Sequence, residues 1–195
     1  AMFWASLPYH HPVVGWPSDV ESITREQAES FFATYYAPNN ITAALVGDFD
    51  PDEALALAAK YFGRIPRGEN EPPPVVTEEI EQLSERRMIA EAETNPSVTV
   101  RWHAVPFTHK DAYALDVLDS ILNGRTGRLY KALVEKQQLA TGKPHSSFGR
   151  MKYGGSFELG AEVADGVDHQ QVESALIAEL DRLKEEPVPE RELQK

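Results

Sequence analysis

The chain has 195 residues, no cysteine, and 31 acidic against 19 basic side chains, a formal charge of −12. Its length allows roughly 70% of the unfolded surface to be buried, enough for one large domain or two small ones. The acidic balance disfavours nucleic acid and anionic membrane as partners, zero cysteines exclude disulfides and thiolate metal sites, and no run of about 18 apolar residues provides a membrane-spanning segment.

From Pro8 to Pro66 the chain reads as one α/β unit. Thr24 and Gln27 have the spacing of a capping box, in which each side chain satisfies an orphan backbone N–H at a helix start. Ala28, Phe31, Phe32, Tyr35 and Tyr36 then recur at helical spacing, a wide apolar stripe that must lie on a sheet or another helix, and Pro38 stops the helix. Ile41 to Val46 is an apolar run after the turn-forming pair Asn39-Asn40, and it predicts a covered strand that ends at Gly47-Asp48. Asp50 caps the next predicted helix, with Pro51 at its first position and Glu53 completing a box. Its expected buried face is Ala54, Leu55, Ala58, Tyr61 and Phe62, and Gly63 is the stop.

Residues 69–82 hold Pro72-Pro73-Pro74 among glutamates, a composition that resists helix and predicts an extended linker between domains 1–68 and 83–195. Met88 to Ala92 is a candidate strand, and Ser97 to Ala104 alternates, with Val98, Val100, Trp102 and Ala104 on one face and Thr99, Arg101 and His103 on the other. A helix carrying Ala114, Leu115, Leu118, Ile121 and Leu122 closes at Asn123-Gly124, and a second runs from about Arg128 to Gln137. Strands are expected over 144–150 and 154–163, followed by a turn at Asp165-Gly166. Asp168 and Gln171 box the start of a helix that buries Val172, Ala175, Leu176, Leu180 and Leu183, and Pro189 to Leu193 opens another. Hairpin-like strands with helices of ten or more residues predict an α+β fold, helices on one face of a mainly antiparallel sheet.

Five short segments now carry a resemblance. Leu7-Pro8-Tyr9-His10-His11-Pro12-Val13-Val14-Gly15-Trp16, Asp19-Val20, Tyr35-Tyr36-Ala37-Pro38-Asn39-Asn40, Val46-Gly47-Asp48-Phe49-Asp50 and Tyr61-Phe62-Gly63-Arg64-Ile65-Pro66 stand in the order and at the spacing of the pitrilysin/insulinase zinc metallopeptidases. Leu7 departs from the His more usual before Pro-Tyr, at a position that is not a metal ligand in the family. Thr126-Gly127-Arg128-Leu129-Tyr130 with Leu133 and Glu135-Lys136 is similar to the family's second-domain pattern.

The resemblance implies half of a clamshell, made of two homologous α/β domains. Residues 1–68 are expected to be the end of the first domain without its zinc-motif region, and 83–195 most of the second. It further implies a zinc-dependent endopeptidase parent that encloses peptides or unfolded polypeptides against a second half, supplied by the same chain, a homodimer or a heterodimer. The alternative is an inactive family member that serves as a partner subunit or assembly core. For a bacterial parent the resemblance leans towards the periplasm.

Zinc-assisted hydrolysis needs two neutral imidazoles and a carboxylate on the metal, with a general base beside it. The family meets this with His-x-x-Glu-His and a Glu further downstream, both of which precede the Pro-Tyr segment. Neither falls in this chain: His10, His11, His103, His109, His145 and His169 include no pair at i, i+4. No catalytic or metal residue is therefore assigned; zinc is expected in the full-length parent and none in this chain.

His10-His11, read as extended, would point its rings apart and chelate poorly. His103 reads as a solvated or hydrogen-bonded side chain, and the adjacency of His145 to Ser146-Ser147 is not the geometry of a nucleophile and base. The hairpin Lys152 to Leu159 lacks the Arg and Tyr that the family places in its non-zinc half.

The candidate substrate contacts are Gly124, Arg125 and Gly127, in the loop between two predicted helices. A GxxG loop clamps nucleic-acid backbone in KH modules, but this chain is acidic and no basic stripe accompanies the loop. In mitochondrial processing relatives a longer glycine-rich loop at the matching place is linked to substrate handling. A helix-ending Gly followed by a Thr cap is the structural reading of the same residues.

Overall fold

The computed structural model describes residues 3–194. These fall into two compact units that divide between Glu78 and Glu79, inside the Pro- and Glu-rich stretch.

The first unit contains α1 (Pro17–Ser22), α2 (Arg25–Tyr35) and α3 (Pro51–Phe62), with 3-10 turns at Pro8–His10 and Pro38–Asn40. The α2 capping box is present: Gln27 N donates to Thr24 Oγ1 at 3.3 Å and Thr24 N donates to Gln27 Oε1 at 2.9 Å. At α3, Asp50 Oδ1 accepts from both Asp52 N and Glu53 N, at 2.8 and 3.0 Å, so the cap is one-sided rather than the expected box. α1 was not legible in advance, because six residues opened by a proline carry too little periodicity to declare a helix.

Two expectations fail in this unit, and for one reason. Ile41 to Val46 forms no strand, and the stripes of α2 and α3 are not buried: Phe32 is 62% exposed, Leu55 68% and Phe62 67%. A strand exists only when a neighbour takes its N–H and C=O groups, and an amphipathic helix is covered only when an apolar layer faces it. Among the described residues the unit contains helices and turns but no sheet.

The second unit supplies its own sheet. β1 (Ser97–Ala104), β2 (Ala140–Arg150) and β3 (Gly155–Val163) form an antiparallel sheet in the order β1-β3-β2, confirming the α+β class. The register pairs Trp102 with Phe157 and Phe148 with Phe157, so Phe157, Leu159, Ala161 and Val163 of the central strand present one apolar face. Helices α4 (Ala112–Leu122) and α5 (His169–Glu185), with the π-helix Tyr130–Lys136, bury that face. Leu122, Leu129, Leu133, Leu159, Val172 and Leu176 are fully buried in the resulting core, each contributing about 1.5–3 kcal/mol of apolar transfer energy. A short helix, α6 (Glu190–Leu193), follows.

Three details differ from expectation here. Met88 to Ala92 lies outside the sheet. β2 begins at Ala140 rather than 144, because its pairing continues past an irregularity between Thr141 and His145. Asp168 caps α5 through Gln170 N at 2.9 Å, and Gln171 takes no part in a reciprocal box.

Candidate functional site

The loop that joins α4 to the following helix is built from both ends. Asn123 N donates to Asp119 O at 3.0 Å as the last turn of α4 closes. Gly124 then takes φ +82°, a left-handed conformation in which nothing lies near a hypothetical Cβ. Glycine is the residue for which this geometry costs least. Arg125 and Thr126 are exposed at the tip, and Gly127 N returns to Gly124 O at 3.0 Å. Gly127 itself is buried, and a Cβ there would collide with the carbonyls of Leu122 and Asn123. Lys131 N donates to Gly127 O at 3.3 Å, so the next helix starts from Gly127, not from a Thr126 cap.

Side chains fix the base of this loop. The Asn123 amide pairs with the backbone of Ser146 on edge strand β2, donating to Ser146 O and accepting from Ser146 N, both at 2.9 Å. Its amide nitrogen also donates to Asp119 Oδ1 at 2.9 Å, and Ser146 Oγ donates to the same oxygen at 2.6 Å. Asn123 thereby occupies backbone groups that an added strand would need. On the far side of the loop, Arg128 donates to Glu192 Oε2 at 3.0 Å, tying the helix start to α6.

The following helix widens to i→i−5 bonding, seen in Gln137 N to Ala132 O at 3.0 Å, and ends before Gln138 at φ +53°. Neither the π geometry nor the Asn123–Ser146 pair has a local sequence signal. Asn123-Gly124 announces a helix end, but which strand its amide reaches is a tertiary fact.

The candidate residues are therefore together in space, with unequal roles. Gly127 is required by packing and Gly124 by backbone conformation. Arg125 is an exposed cation with no ion-pair partner among the described residues.

The histidines are dispersed. His10 and His11 do not point apart: their rings lie together, with centroids 3.8 Å apart, because Pro8–His10 is a 3-10 turn rather than an extended segment. His10 Nδ1 is nonetheless engaged with Leu7 O at 2.8 Å. His145 Nε2 lies 3.3 Å from Glu158 Oε1 on the sheet face away from the helices, where Arg101 Nε also donates to Glu158 at 2.7 Å. Ser146 points to the opposite face and donates to Asp119, so His145 and Ser146 form no nucleophile and base. Among the described residues no three His, Asp or Glu side chains converge as a metal site, and these residues do not fit a catalytic zinc.

A helix-backed antiparallel domain, preceded by helices that lack a sheet, together with the ordered motifs, defines a class of protein. The chain belongs to the peptidase M16 family, and residues 22–195 match its "Peptidase M16 inactive domain". It is 28% identical to the zinc protease PqqE of Helicobacter pylori over 195 residues, covering 96% of this chain and 43% of that protein. A solved Helicobacter pylori protease structure superposes with a TM-score of 0.88 at 25% identity, covering 98% of this chain and 47% of that one. A solved M16 inactive domain from Pseudomonas fluorescens gives a TM-score of 0.76 at 25% identity, covering 95% of this chain and 45% of that one. The chain thus spans less than half the length of these relatives.

Proposed function

We propose that this chain is the non-catalytic portion of a zinc-dependent endopeptidase that encloses and hydrolyses peptides or unfolded polypeptides. The observation that carries the reading is the continuous match of residues 22–195 to the M16 inactive domain, in a sequence without His-x-x-Glu-His. On this reading residues 1–68 end the first domain, 83–195 form most of the second, and zinc is held by residues of the parent outside this chain. A second clamshell half completes the chamber, and in a bacterial parent the periplasm is the compartment.

Within that scheme the loop Gly124–Gly127 is the candidate substrate contact of this chain. Arg125 supports it, as a cation with no ion-pair partner among the described residues, held at the tip of a loop anchored on both sides. Hydrogen bonds or ion pairs from its guanidinium to peptide carbonyls or acidic side chains are the chemistry it offers.

The test is peptide cleavage by the intact parent with and without chelator, beside the isolated chain. Chelator-sensitive cleavage by the parent and none by the chain is expected. A parent that neither holds zinc nor cleaves peptides would instead place it among inactive partner subunits.

A further inference from the structure

The Pro- and Glu-rich stretch has the composition of a free linker, yet its first part is fastened to the first unit at its start, middle and end. At the start, Gly68 N donates to Asn39 Oδ1 at 2.9 Å, across 29 positions of sequence. The backbone passes so close there that a Cβ on Gly68 would collide with that of buried Ala37. In the middle, Pro73 closes a groove on α2 whose walls include Gln27, Phe31 and Tyr35. At the end, Ser6 Oγ donates to Glu78 O at 2.6 Å.

The stretch cannot hold itself in this path. Pro72, Pro73 and Pro74 have no N–H to donate and cannot continue a helix, and Glu69, Glu71 and Glu78 repel one another. The ion pair of Arg67 with Glu71 is exposed on both sides and contributes little. Asn39 is different, because its bond to Gly68 is partly buried. Its Nδ2 is buried and has no hydrogen-bond partner among the described residues. The neighbouring Asn40 closes α2 on its own, donating from Nδ2 to Tyr35 O at 2.8 Å. Asn39 is therefore not needed to end the helix, and its side chain serves the stretch that follows α3.

We propose that residues 68–78 are a strap latched to the first unit by Asn39, and that opening the latch lengthens the tether between the two units. With the latch closed, the tether begins after Glu78. With it open, the eleven residues 68–78 join the tether, adding a reach of roughly 34 Å at the ~3.1 Å per residue of an extended proline-rich chain. A single neutral hydrogen bond is weak enough for both states to be visited.

Hydrogen exchange at residues 75–78 and cleavage after Glu69 by a glutamate-specific protease test the latch, in the intact parent carrying Asn39→Ala. Both should quicken about fivefold, the weight of one neutral hydrogen bond on a rapid opening equilibrium. The amides of α2 should exchange as in wild type, since Asn40 is retained. Asn39→Asp keeps the oxygen that accepts from Gly68 N and should restore wild-type rates. Unchanged rates at residues 75–78 and Glu69 in Asn39→Ala overturn the proposal, because Asn39 then does not hold the strap. Faster exchange spreading through α2 also overturns it, because Asn39 is then part of the fold rather than a latch. Zinc content plays no part in this measurement, so the latch and the catalytic reading stand or fall separately.

Discussion

Arg87 places both of its terminal nitrogens on the two carboxylate oxygens of Glu173, at 2.7 and 2.6 Å, across 86 positions of sequence. The pair fastens the segment before β1 to α5, although Met88 to Ala92 joins no sheet. The Arg87 guanidinium, bonded to it more strongly than burial opposes, holds the Glu173 carboxyl below the usual carboxylate range. Because the folded-state value is depressed, the stabilisation is fully present above the ordinary value of 4.5 and is lost as pH falls through the lower folded value. The difference in Tm between wild type and Arg87→Leu should therefore be largest near neutral pH and shrink as the pH falls below 4.5. A difference independent of pH would remove the ion pair from the account.

Asn123→Ala removes both bonds to the Ser146 backbone and one to Asp119. Leaving those buried groups unmet should cost about 1–3 kcal/mol in urea unfolding. Ser147→Ala, on the exposed face one residue along β2, should change stability by less than about 0.5 kcal/mol.

The two loop glycines should respond differently. Gly127→Ala forces a methyl into the carbonyls that end α4, an overpacking cost of about 1–3 kcal/mol. Gly124 has open space, so Ala there meets only the left-handed backbone cost, about 1–2 kcal/mol. Asn should be tolerated better than Ala at Gly124 and no better at Gly127. In the intact parent, Arg125→Ala should raise KM while leaving kcat unchanged, the pattern for a group that binds substrate and transition state alike.

The second unit was largely legible in the sequence, and the first was legible only in its caps. β1, β3 and α5 could be read because alternation and helical stripes report a face, and in this chain each face finds its partner. The same stripes on α2 and α3 are apolar but exposed, since periodicity names a face and not its occupant. Ile41–Val46 shows the limit most directly: strand-forming residues stay unpaired where no neighbouring strand is present. At the loop, Gly124 and Gly127 marked a helix break, whereas Asn123 to Ser146 and Arg128 to Glu192 are contacts between distant residues that no local pattern encodes.

Substitutions should separate structural core from uncovered surface. Leu176→Ala, within the closed core, should cost about 2–5 kcal/mol. Phe32→Ser, at a side chain 62% exposed in this chain, should leave the Tm of the isolated chain nearly unchanged. A large loss of stability from Phe32→Ser in the isolated chain would mean that the α2 stripe is already covered.

Metal analysis of the intact parent beside the isolated chain, both dialysed against trace zinc at neutral pH, tests whether zinc is held outside this chain. About one zinc per parent molecule is expected, as a single three-ligand catalytic site holds, and none retained by the chain. Stoichiometric zinc on the isolated chain, or a parent without zinc, would contradict it.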